Sequence, residues 1–462
     1  MRVRVSLLLV IVIFLAAPAL AQKRNITEKD LFNFVWIGDP QVSPDGSRIV
    51  FVRVTVNDKK DGYNTAIWSV ATASGETRQL TNGPRDTSPR WSPDGKYLVF
   101  MRTPEVQGRV EPAQLYMLSL MGGEPFQFTT LPRGTNGPQW SPDGKFIAFY
   151  NSATPEELAK AAAKDSPSQP KPSPSASPTP AERESDVRVI NRAVYRANGA
   201  GYLDYKHPQH LWVVTAPKTA DEKVTPKQLT RGRYDAGGAF WAKDNSRLYF
   251  VSEHTDEPYY DLPNTDIFSV SVNGGEPAKF VTIDMGVGAF ALNPDGKQLA
   301  FIGSVVHKPV NSYTQPDLWV MEMTSGAKPR NLTATFDFDI GGGLTGDNVA
   351  PRGGGGNPPV WSADGRSINT VYLKEGKANV GSFDVSSGRM ADVTTGNHAI
   401  VNFRTVPDAS KFALLISTPT RVGDLYWLDK ANGQPKQLTR FNEELFSKLN
   451  LTEPEEIWHN SF

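Results

Sequence analysis

Short apolar strands along this chain each follow a recurring turn of the Ser/Asn-Pro-Asp-Gly type. The turn and its strand occur seven times, as in SPDGSRIVFV from Ser43, SPDGKYLVFM from Ser92 and NPDGKQLAFI from Asn293. The turn aspartates are Asp45, Asp94, Asp143, Asp244, Asp295, Asp364 and Asp408. All but one of the successive spacings lie between 44 and 69 residues, and one four-stranded propeller blade takes about 40–50 residues. The spacing therefore predicts one repeat architecture.

Four strand signals accompany each copy of the turn. A first strand ends in a tryptophan or a related residue, as in PRW at 89–91, and a second strand follows the turn, as in KYLVF at 96–100. The third strand alternates, as in DLWVM at 317–321, and the fourth ends in Leu-Thr, as in QLT at 79–81. Such alternation between turn residues is typical of strands. We predict an all-β fold, a seven-bladed β-propeller of four-stranded antiparallel blades over residues 22–440, in which no strand is exchanged between the first and last blades.

Two sets of repeated side chains have both a functional and a structural interpretation. The turn aspartates resemble a carboxylate array, but an aspartate in this position usually accepts a hydrogen bond within its own turn. The tryptophans at the ends of first strands could form a stacking platform for sugars: Trp91, Trp140, Trp241 and Trp361. Because each occupies the same place in its unit, we expect these tryptophans to pack between blades.

The N-terminus and the composition concern localisation and partners. Residues 1–21 have a basic start at Arg2 and Arg4, an apolar run and the small-x-small end Ala19-Leu20-Ala21, which predicts a signal peptide. An uncleaved anchor is the alternative, although the run is short for a membrane span.

The 49 basic and 49 acidic residues balance without a basic stripe, so nucleic acid is not an expected partner. With no cysteine for disulfides, we predict a periplasmic or secreted bacterial protein with no membrane contact after signal cleavage.

Two segments interrupt the repeat. Residues 152–185 are rich in Pro, Ser, Ala and Lys, and their composition predicts a disordered insert with a short helix at Pro155–Ala163. Residues 341–359 are rich in glycine but lack the Gly-Lys-Ser/Thr of a phosphate loop. Strand alternation places the Asp turns on one face of the ring, and these segments, the longer loops and both termini on the other. We expect binding on that second face.

The sequence shows little catalytic chemistry of its own. It contains no Gly-x-Ser-x-Gly motif. His207 and His210 have a spacing seen in metal sites, but no third ligand is nearby, so we predict neither a metal nor a cofactor.

Several segments resemble one family. They are ITEKDLFNFVWIGDPQVSPDGSRIVFV at 26–52, VRVINRAVYRANGAGYLDYKHPQHLWVV at 187–214, EPYYDLPNTDIFSV at 257–270 and QLTRFNEELFSKLNLTEPEEIWHNSF at 437–462. The chain resembles the N-terminal propeller of the prolyl oligopeptidase family of serine peptidases, nearest to its acylaminoacyl-peptidase and bacterial dipeptidyl-peptidase branch. TolB-like propellers with PD40 repeats share the blade repeat, whereas LTEPEEIW near the end is more specific.

The resemblance implies an α/β-hydrolase domain, with a Ser, Asp and His triad, after an exit linker at 441–462. The sequence ends at Phe462, so no catalytic residue is assigned, and we expect a non-catalytic, substrate-gating module. Its expected partners are a hydrolase domain or chain and peptide substrates. Glu257 could pair with a peptide α-ammonium, and Tyr259 and Tyr260 could supply contact area.

Three alternatives remain open. The 253–266 loop could be an ordinary solvated loop with packed tyrosines. The protein could be a stand-alone TolB-like periplasmic binding or scaffolding propeller. An enzyme with its site in the propeller channel would need a carboxylate or metal cluster lining that channel.

Overall fold

The computed structural model describes residues 23–164, 187–198, 201–255, 265–306, 313–344, 349–352, 354–431 and 433–460. The predicted signal peptide and residues 165–185 of the insert lie outside this part. Among the described residues, no helix is both long and apolar enough to cross a membrane.

The described chain is mostly β, as predicted, and its strands form four-stranded antiparallel units that we number 1 to 7 along the chain. Unit 1 consists of β1 (Val35–Val42), β2 (Arg48–Val56), β3 (Tyr63–Ala71) and β4 (Thr77–Gln79). Unit 2 consists of β5 (Asp86–Trp91), β6 (Tyr97–Arg102), β9 (Gln114–Ser119) and β10 (Phe126–Gln127). Unit 3 consists of β11 (Asn136–Trp140), β12 (Phe146–Asn151), β15 (His210–Thr215) and β16 (Lys227–Gln228). Units 4 and 5 consist of β17 (Gly237–Trp241), β18 (Arg247–Ser252), β19 (Asp266–Ser271) and β20 (Ala278–Thr282); and β21 (Gly286–Leu292), β22 (Gln298–Ser304), β23 (Asp317–Glu322) and β24 (Arg330–Asn331). Units 6 and 7 consist of β25 (Val360–Trp361), β26 (Ser367–Lys374), β27 (Lys377–Asp384) and β28 (Met390–Asp392); and β29 (Ala399–Thr405), β30 (Lys411–Thr418), β31 (Arg421–Asp429) and β32 (Lys436–Gln437).

Few elements lie outside these units. Two hairpins occupy loops, β7 (Glu105–Val106) with β8 (Arg109–Val110) and β13 (Arg196–Ala197) with β14 (Gly201–Tyr202). The helices are a 3₁₀ helix at Glu28–Asn33, α1 (Pro155–Lys164) and α2 (Glu443–Ser447). Units 6 and 7 share one parallel residue pair, Ala378 with Ala399, and so count as one eight-stranded sheet.

The insert begins with an ordered helix. The predicted helix at Pro155–Ala163 is confirmed as α1, and the expected disorder of the rest of the insert stays a prediction. Thr154 and Glu157 form a reciprocal cap, in which Thr154 N–H donates to Glu157 (2.9 Å) and Glu157 N–H donates to the Thr154 hydroxyl (3.2 Å). Proline at the first helical position and the alanines after it further favour the helix.

The core lies between successive units. Second strands are buried on both faces, so they read as continuous apolar runs, and Phe51, Phe100 and Phe149 are fully buried at equivalent positions. Units 1 and 7 also pack together, since Ile37 and Phe51 belong to the same core cluster as Leu415 and Leu425. We call this contact between the first and last units the seam.

The Asp turns have the predicted structural role. In all seven turns the aspartate Oδ1 accepts the backbone N–H two residues further along. Hydrogen bonds from serine hydroxyls in most of the turns, together with these backbone N–H groups, stabilise the ionised form and hold the pKa of each carboxyl below its usual value. The interpretation as turn caps is confirmed.

The tryptophans link neighbouring units, as expected. The indole N–H of Trp91 donates to the Gln41 carbonyl of the unit before it (3.1 Å), and that of Trp140 donates to the Arg90 carbonyl (3.1 Å). Trp361 does the same to unit 5, through the carbonyl of Ala291 (2.9 Å). Trp241 is buried, but its indole nitrogen has no partner among the described residues. Packing between units is therefore confirmed, with a hydrogen bond at three of the four positions.

First strands of most successive units lie beside one another, namely β1 and β5, β5 and β11, β17 and β21, and β21 and β25, and β1 also lies beside β29. We therefore call the first strands the inner strands. All but β25 contain a register shift, and the residue in the bulge has a positive φ in four of them: Asp39 (45°), Ser88 (54°), Gly137 (59°) and Gly238 (52°). A bulge re-aims the side chains that follow it. The N-terminal ends of the inner strands lie on the side away from the Asp turns. We call that side the loop face, and it comprises the loops between second and third strands, the loops between units and both terminal segments.

Candidate functional site

The loop between β18 and β19 contains the three predicted substrate-binding residues. Glu257, Tyr259 and Tyr260 lie outside the described residues, so their role stays a prediction. The described flanks of this loop show how it is anchored to unit 4.

An aromatic stack supports the base of that loop. The His254 ring lies 4.2 Å from the Tyr234 ring and 4.8 Å from the Phe268 ring, with interplanar angles of 13° and 27°. Burial lowers the pKa of His254, so the imidazole is neutral at neutral pH. On the third strand, Asp266 pairs with Lys279 at 2.9 Å. The flanks are therefore fixed to the unit by stacking and by an ion pair.

A charged cluster lies on the inner strands of units 1, 2 and 7. Asp39, only 2% exposed, accepts hydrogen bonds from Arg90 Nη1 (2.6 Å) and Gln41 Nε2 (2.7 Å). Arg404 Nη2 lies 3.9 Å from the same carboxylate. We call these four residues the inner-strand cluster; one carboxylate between two guanidiniums gives it a net charge of +1.

Arg404 remains cationic despite its surroundings. Burial lowers its pKa to about 10, partly offset by Asp39, and a guanidinium with this pKa is still protonated at neutral pH. It donates to the carbonyls of Gly356 (3.0 Å) and Phe403 (2.7 Å). The cluster thus supplies hydrogen-bond donors and positive charge, but no nucleophile beside a general base.

The end of the glycine-rich stretch runs along this cluster. Asn402 donates to the Gly355 carbonyl at 2.9 Å, and a Cβ on Gly355 would lie 2.7 Å from Asp39 Oδ1. The stretch belongs to the loop between units 5 and 6, and Gly355 and Gly356 near its end reach inward against the inner strands. The absence of side chains permits this close approach.

His207 and His210 lie in different environments. His207 contacts Asp204 at 2.7 Å and Glu157 at 3.6 Å, and Arg133 joins the same surface cluster, 3.1 Å from Asp204. His210 is buried at the start of β15, where burial lowers its pKa. Over the described ranges, no group of three or more His, Asp or Glu residues is arranged to hold a metal ion.

The two terminal segments are tied together on the loop face. Arg24 and Leu449 form a parallel bridge. The Asn442 side chain accepts the Val35 N–H (2.9 Å) and donates to the Val35 carbonyl (2.7 Å). A side-chain amide therefore makes the two hydrogen bonds that a neighbouring strand would make.

A cleft opens beside these terminal segments. Its volume is about 590 Å³, and it lies between loops of units 6 and 7 and residues 453–456. His398 lines it with a buried Nε2 that has no partner among the described residues, and burial lowers the pKa of this imidazole. Lys377 pairs with Glu456 across the cleft at 3.4 Å.

Sequence reasoning missed the inner-strand cluster and Asn442. A signal for the cluster was available, because Gln41, Arg90, Gln139 and Arg404 occupy one position relative to the Asp turn, just before the tryptophan or its counterpart. Strand alternation places that position opposite the packed tryptophan.

These features define a β-propeller whose elaborated face carries both terminal segments. A family model described as "TolB beta propeller domain" (PD40) matches residues 17–178. The PD40 match covers about the first third of the chain, and the chain is similar in sequence to a peptidase over most of its length.

Three individual proteins show the extent of the similarity. The uncharacterized peptidase YuxL of Bacillus subtilis is 29% identical over 437 residues, which are 94% of this chain and 61% of that protein. Pyrococcus horikoshii acylaminoacyl peptidase has a similar fold, with a TM-score of 0.64 at 17% identity over 96% of this chain and 58% of its own. The β-propeller domain of the trilobed protease from Pyrococcus furiosus, described as having an open velcro topology, gives a TM-score of 0.56 at 16% identity over 88% of this chain and 99% of its own. The chain therefore spans about three fifths of the full-length peptidases that it matches.

Proposed function

We propose that the seven units close into a seven-bladed ring without exchanging a strand. Three contacts at the seam support this closure. Core residues of units 1 and 7 pack together, Lys436 Nζ donates to the Ala73 carbonyl (2.6 Å), and Asn442 bonds to Val35. In the described residues, β1 pairs only with β2 of its own unit.

We further propose that this propeller is the non-catalytic, substrate-gating module of an exported serine exopeptidase. The observation that carries the proposal is the junction of Arg24 with Leu449 and of Asn442 with Val35, because it brings both terminal segments to the loop face. A hydrolase domain continuing from the exit linker would then rest on that face, beside the cleft between units 6 and 7. The peptidase relatives support the same assignment.

Two preparations test this function. The purified chain alone should not hydrolyse aminoacyl or dipeptidyl amides and should not react with a serine-directed phosphonate, since the proposed module contains no activated nucleophile. The chain joined after Phe462 to an α/β-hydrolase domain of a peptidase relative should hydrolyse short free-amino peptides. Labelling of the chain alone, or a joined protein that is folded but inactive, would contradict the proposal.

The β18–β19 loop is the proposed contact for the substrate amino group. In the joined protein, Glu257→Gln should raise KM for free-amino peptides and leave KM for blocked peptides unchanged, because only a free α-ammonium pairs with a carboxylate. If KM changes equally for both kinds of peptide, or changes for neither, the loop does not bind the substrate amino group.

A stand-alone TolB-like binding propeller is the second candidate function, and the PD40 match favours it. It predicts that the joined hydrolase domain gains no selectivity from the propeller and that the chain instead binds a protein partner by itself. The third alternative, a site in the channel, has less support. The inner-strand cluster supplies one carboxylate and two guanidiniums, and no group of three or more possible metal ligands occurs among the described residues.

A further inference from the structure

A basic and aromatic arm projects from unit 3 on the loop face. It comprises the described residues 187–198 and 201–207, which precede β15, and we call it the arginine–tyrosine arm. Within the arm, Leu203 N–H donates to the Tyr195 carbonyl (3.0 Å) and Tyr205 Oη donates to the Val194 carbonyl (2.5 Å). At its base Asp204 pairs with Arg133 of the preceding inter-unit loop. The arm is therefore folded on itself and attached to the scaffold.

Two arginines of the arm gather around one tyrosine ring. The guanidinium carbons of Arg188 and Arg196 lie 4.5 Å and 5.7 Å from the centroid of the Tyr202 ring. These distances put the two charges no more than about 10 Å apart, which is roughly a Debye length at 0.1 M salt. Neither arginine has a carboxylate within ion-pair distance among the described residues, and Asp204, an acid of the arm itself, is engaged with Arg133 and His207.

Both guanidiniums are available for hydrogen bonding, because Arg188 and Arg196 are exposed and neither side chain forms a hydrogen bond or ion pair with another described residue. A guanidinium that stacks on an aromatic ring keeps its N–H groups in the plane of the fork, where they match a carboxylate bidentately. Next to Arg188, the side chains of Val189 and Ile190 are 83% and 53% exposed. The surface thus combines two preoriented anion-binding forks with apolar contact area.

We propose that Arg188 and Arg196, held by Tyr202, bind a carboxylate of a peptide, and that Val189 and Ile190 contact a neighbouring apolar side chain. This inference rests on the proposed function in that it assumes peptides reach the loop face. A peptide fits better than an anionic membrane because the two arginines share one tyrosine ring, so their charges form a compact site rather than an extended basic surface. The carboxylate can come from an acidic side chain or from the free C-terminus.

Fluorescence anisotropy with the purified chain tests the inference. Three labelled peptides with a Leu-Xaa-Leu core are compared: Glu with an amidated C-terminus, Gln with an amidated C-terminus, and Gln with a free C-terminus. At least one carboxylate-bearing peptide should bind about tenfold or more tightly than the uncharged one, as expected for charge-assisted hydrogen bonds. The better of the two identifies the source of the carboxylate.

Substitutions show whether the arm is responsible. The double variant Arg188→Gln/Arg196→Gln should abolish the preference, and Arg188→Lys/Arg196→Lys should lose most of it, because lysine keeps the charge without the fork. Arg366→Gln is the control: it removes an exposed arginine from an Asp turn away from the loop face, and the preference should persist.

Each contrary outcome overturns the inference in a distinguishable way. If peptides bind equally with and without a carboxylate, or the double Gln variant keeps the preference, the arm is not the site, yet peptide binding by the loop face still stands. If no peptide binds but vesicles of phosphatidylcholine and phosphatidylglycerol bind through these arginines, the surface is a membrane contact. If nothing binds, the inference fails, while hydrolysis by the joined protein still decides the proposed function.

Discussion

Asn442 stabilises the seam, and removing its side-chain amide should lower the free energy of unfolding of the whole protein. Asn442 is only 3% exposed, and its side chain satisfies both the N–H and the C=O of Val35. In Asn442→Ala both backbone groups lose their partner in a largely buried junction. An unsatisfied buried group costs about 1–3 kcal/mol, so the free energy of unfolding should fall by about 2–4 kcal/mol. With a urea slope of about 3 kcal/mol per M, the midpoint should drop by about 1 M.

Equilibrium urea unfolding followed by circular dichroism measures this loss, and hydrogen exchange locates it. The Val35 amide should exchange faster in Asn442→Ala than in the parent protein, whereas amides of central strands should follow only the global change. Asn33→Ala is the matched control, because Asn33 is exposed on the neighbouring 3₁₀ helix and makes only a long 3.5 Å bond to Lys29. A loss below about 0.5 kcal/mol in Asn442→Ala, or one equal to that of Asn33→Ala, would refute the role of the amide in closing the seam.

Three further predictions follow from the contacts described above. Trp140→Phe should cost about 1 kcal/mol of unfolding free energy, because the variant loses the indole hydrogen bond. Trp241→Phe loses no such bond among the described residues and should cost measurably less in the same urea experiment. Equal costs would contradict the linking role of the Trp140 hydrogen bond. Gly355→Ala should destabilise the protein by about 1–3 kcal/mol because its Cβ meets a buried carboxylate, while Gly356→Ala has open space and should be near neutral by thermal unfolding. The lowered pKa of the turn aspartates adds stability at pH values above the unfolded pKa of about 3.9, and this stability is lost as the pH falls through their folded pKa values. The free energy of unfolding should therefore decline below about pH 4, and Asp94→Asn should make that decline shallower. An unchanged pH dependence in Asp94→Asn would show that this carboxylate is not linked to folding.

The repeated features of the fold were accessible from the sequence because they are local. An Asp turn depends on four consecutive residues, and a strand depends on alternation over five or six residues. The helix α1 was also predictable, since Thr154, Pro155 and Glu157 carry its N-terminal signal within one turn.

The missed features join residues that are far apart along the chain. Asp39 meets Arg90 across 51 residues and Arg404 across 365, and Asn442 meets Val35 across 407. The shared repeat position of Arg90 and Arg404 indicates that their side chains lie on one side of the strands, but nothing near Asp39 or Asn442 in the sequence identifies the residue that each contacts.

The tryptophan links have a consequence for how such a protein changes over evolutionary time. Three of the four indoles donate to a main-chain carbonyl of the preceding unit, and the residues that carry those carbonyls are Gln41, Arg90 and Ala291. Every amino acid offers the same carbonyl, so the side chain at that position can be exchanged without removing the link. The side chains of the inner strands can therefore acquire new chemistry while the scaffold that holds them stays the same.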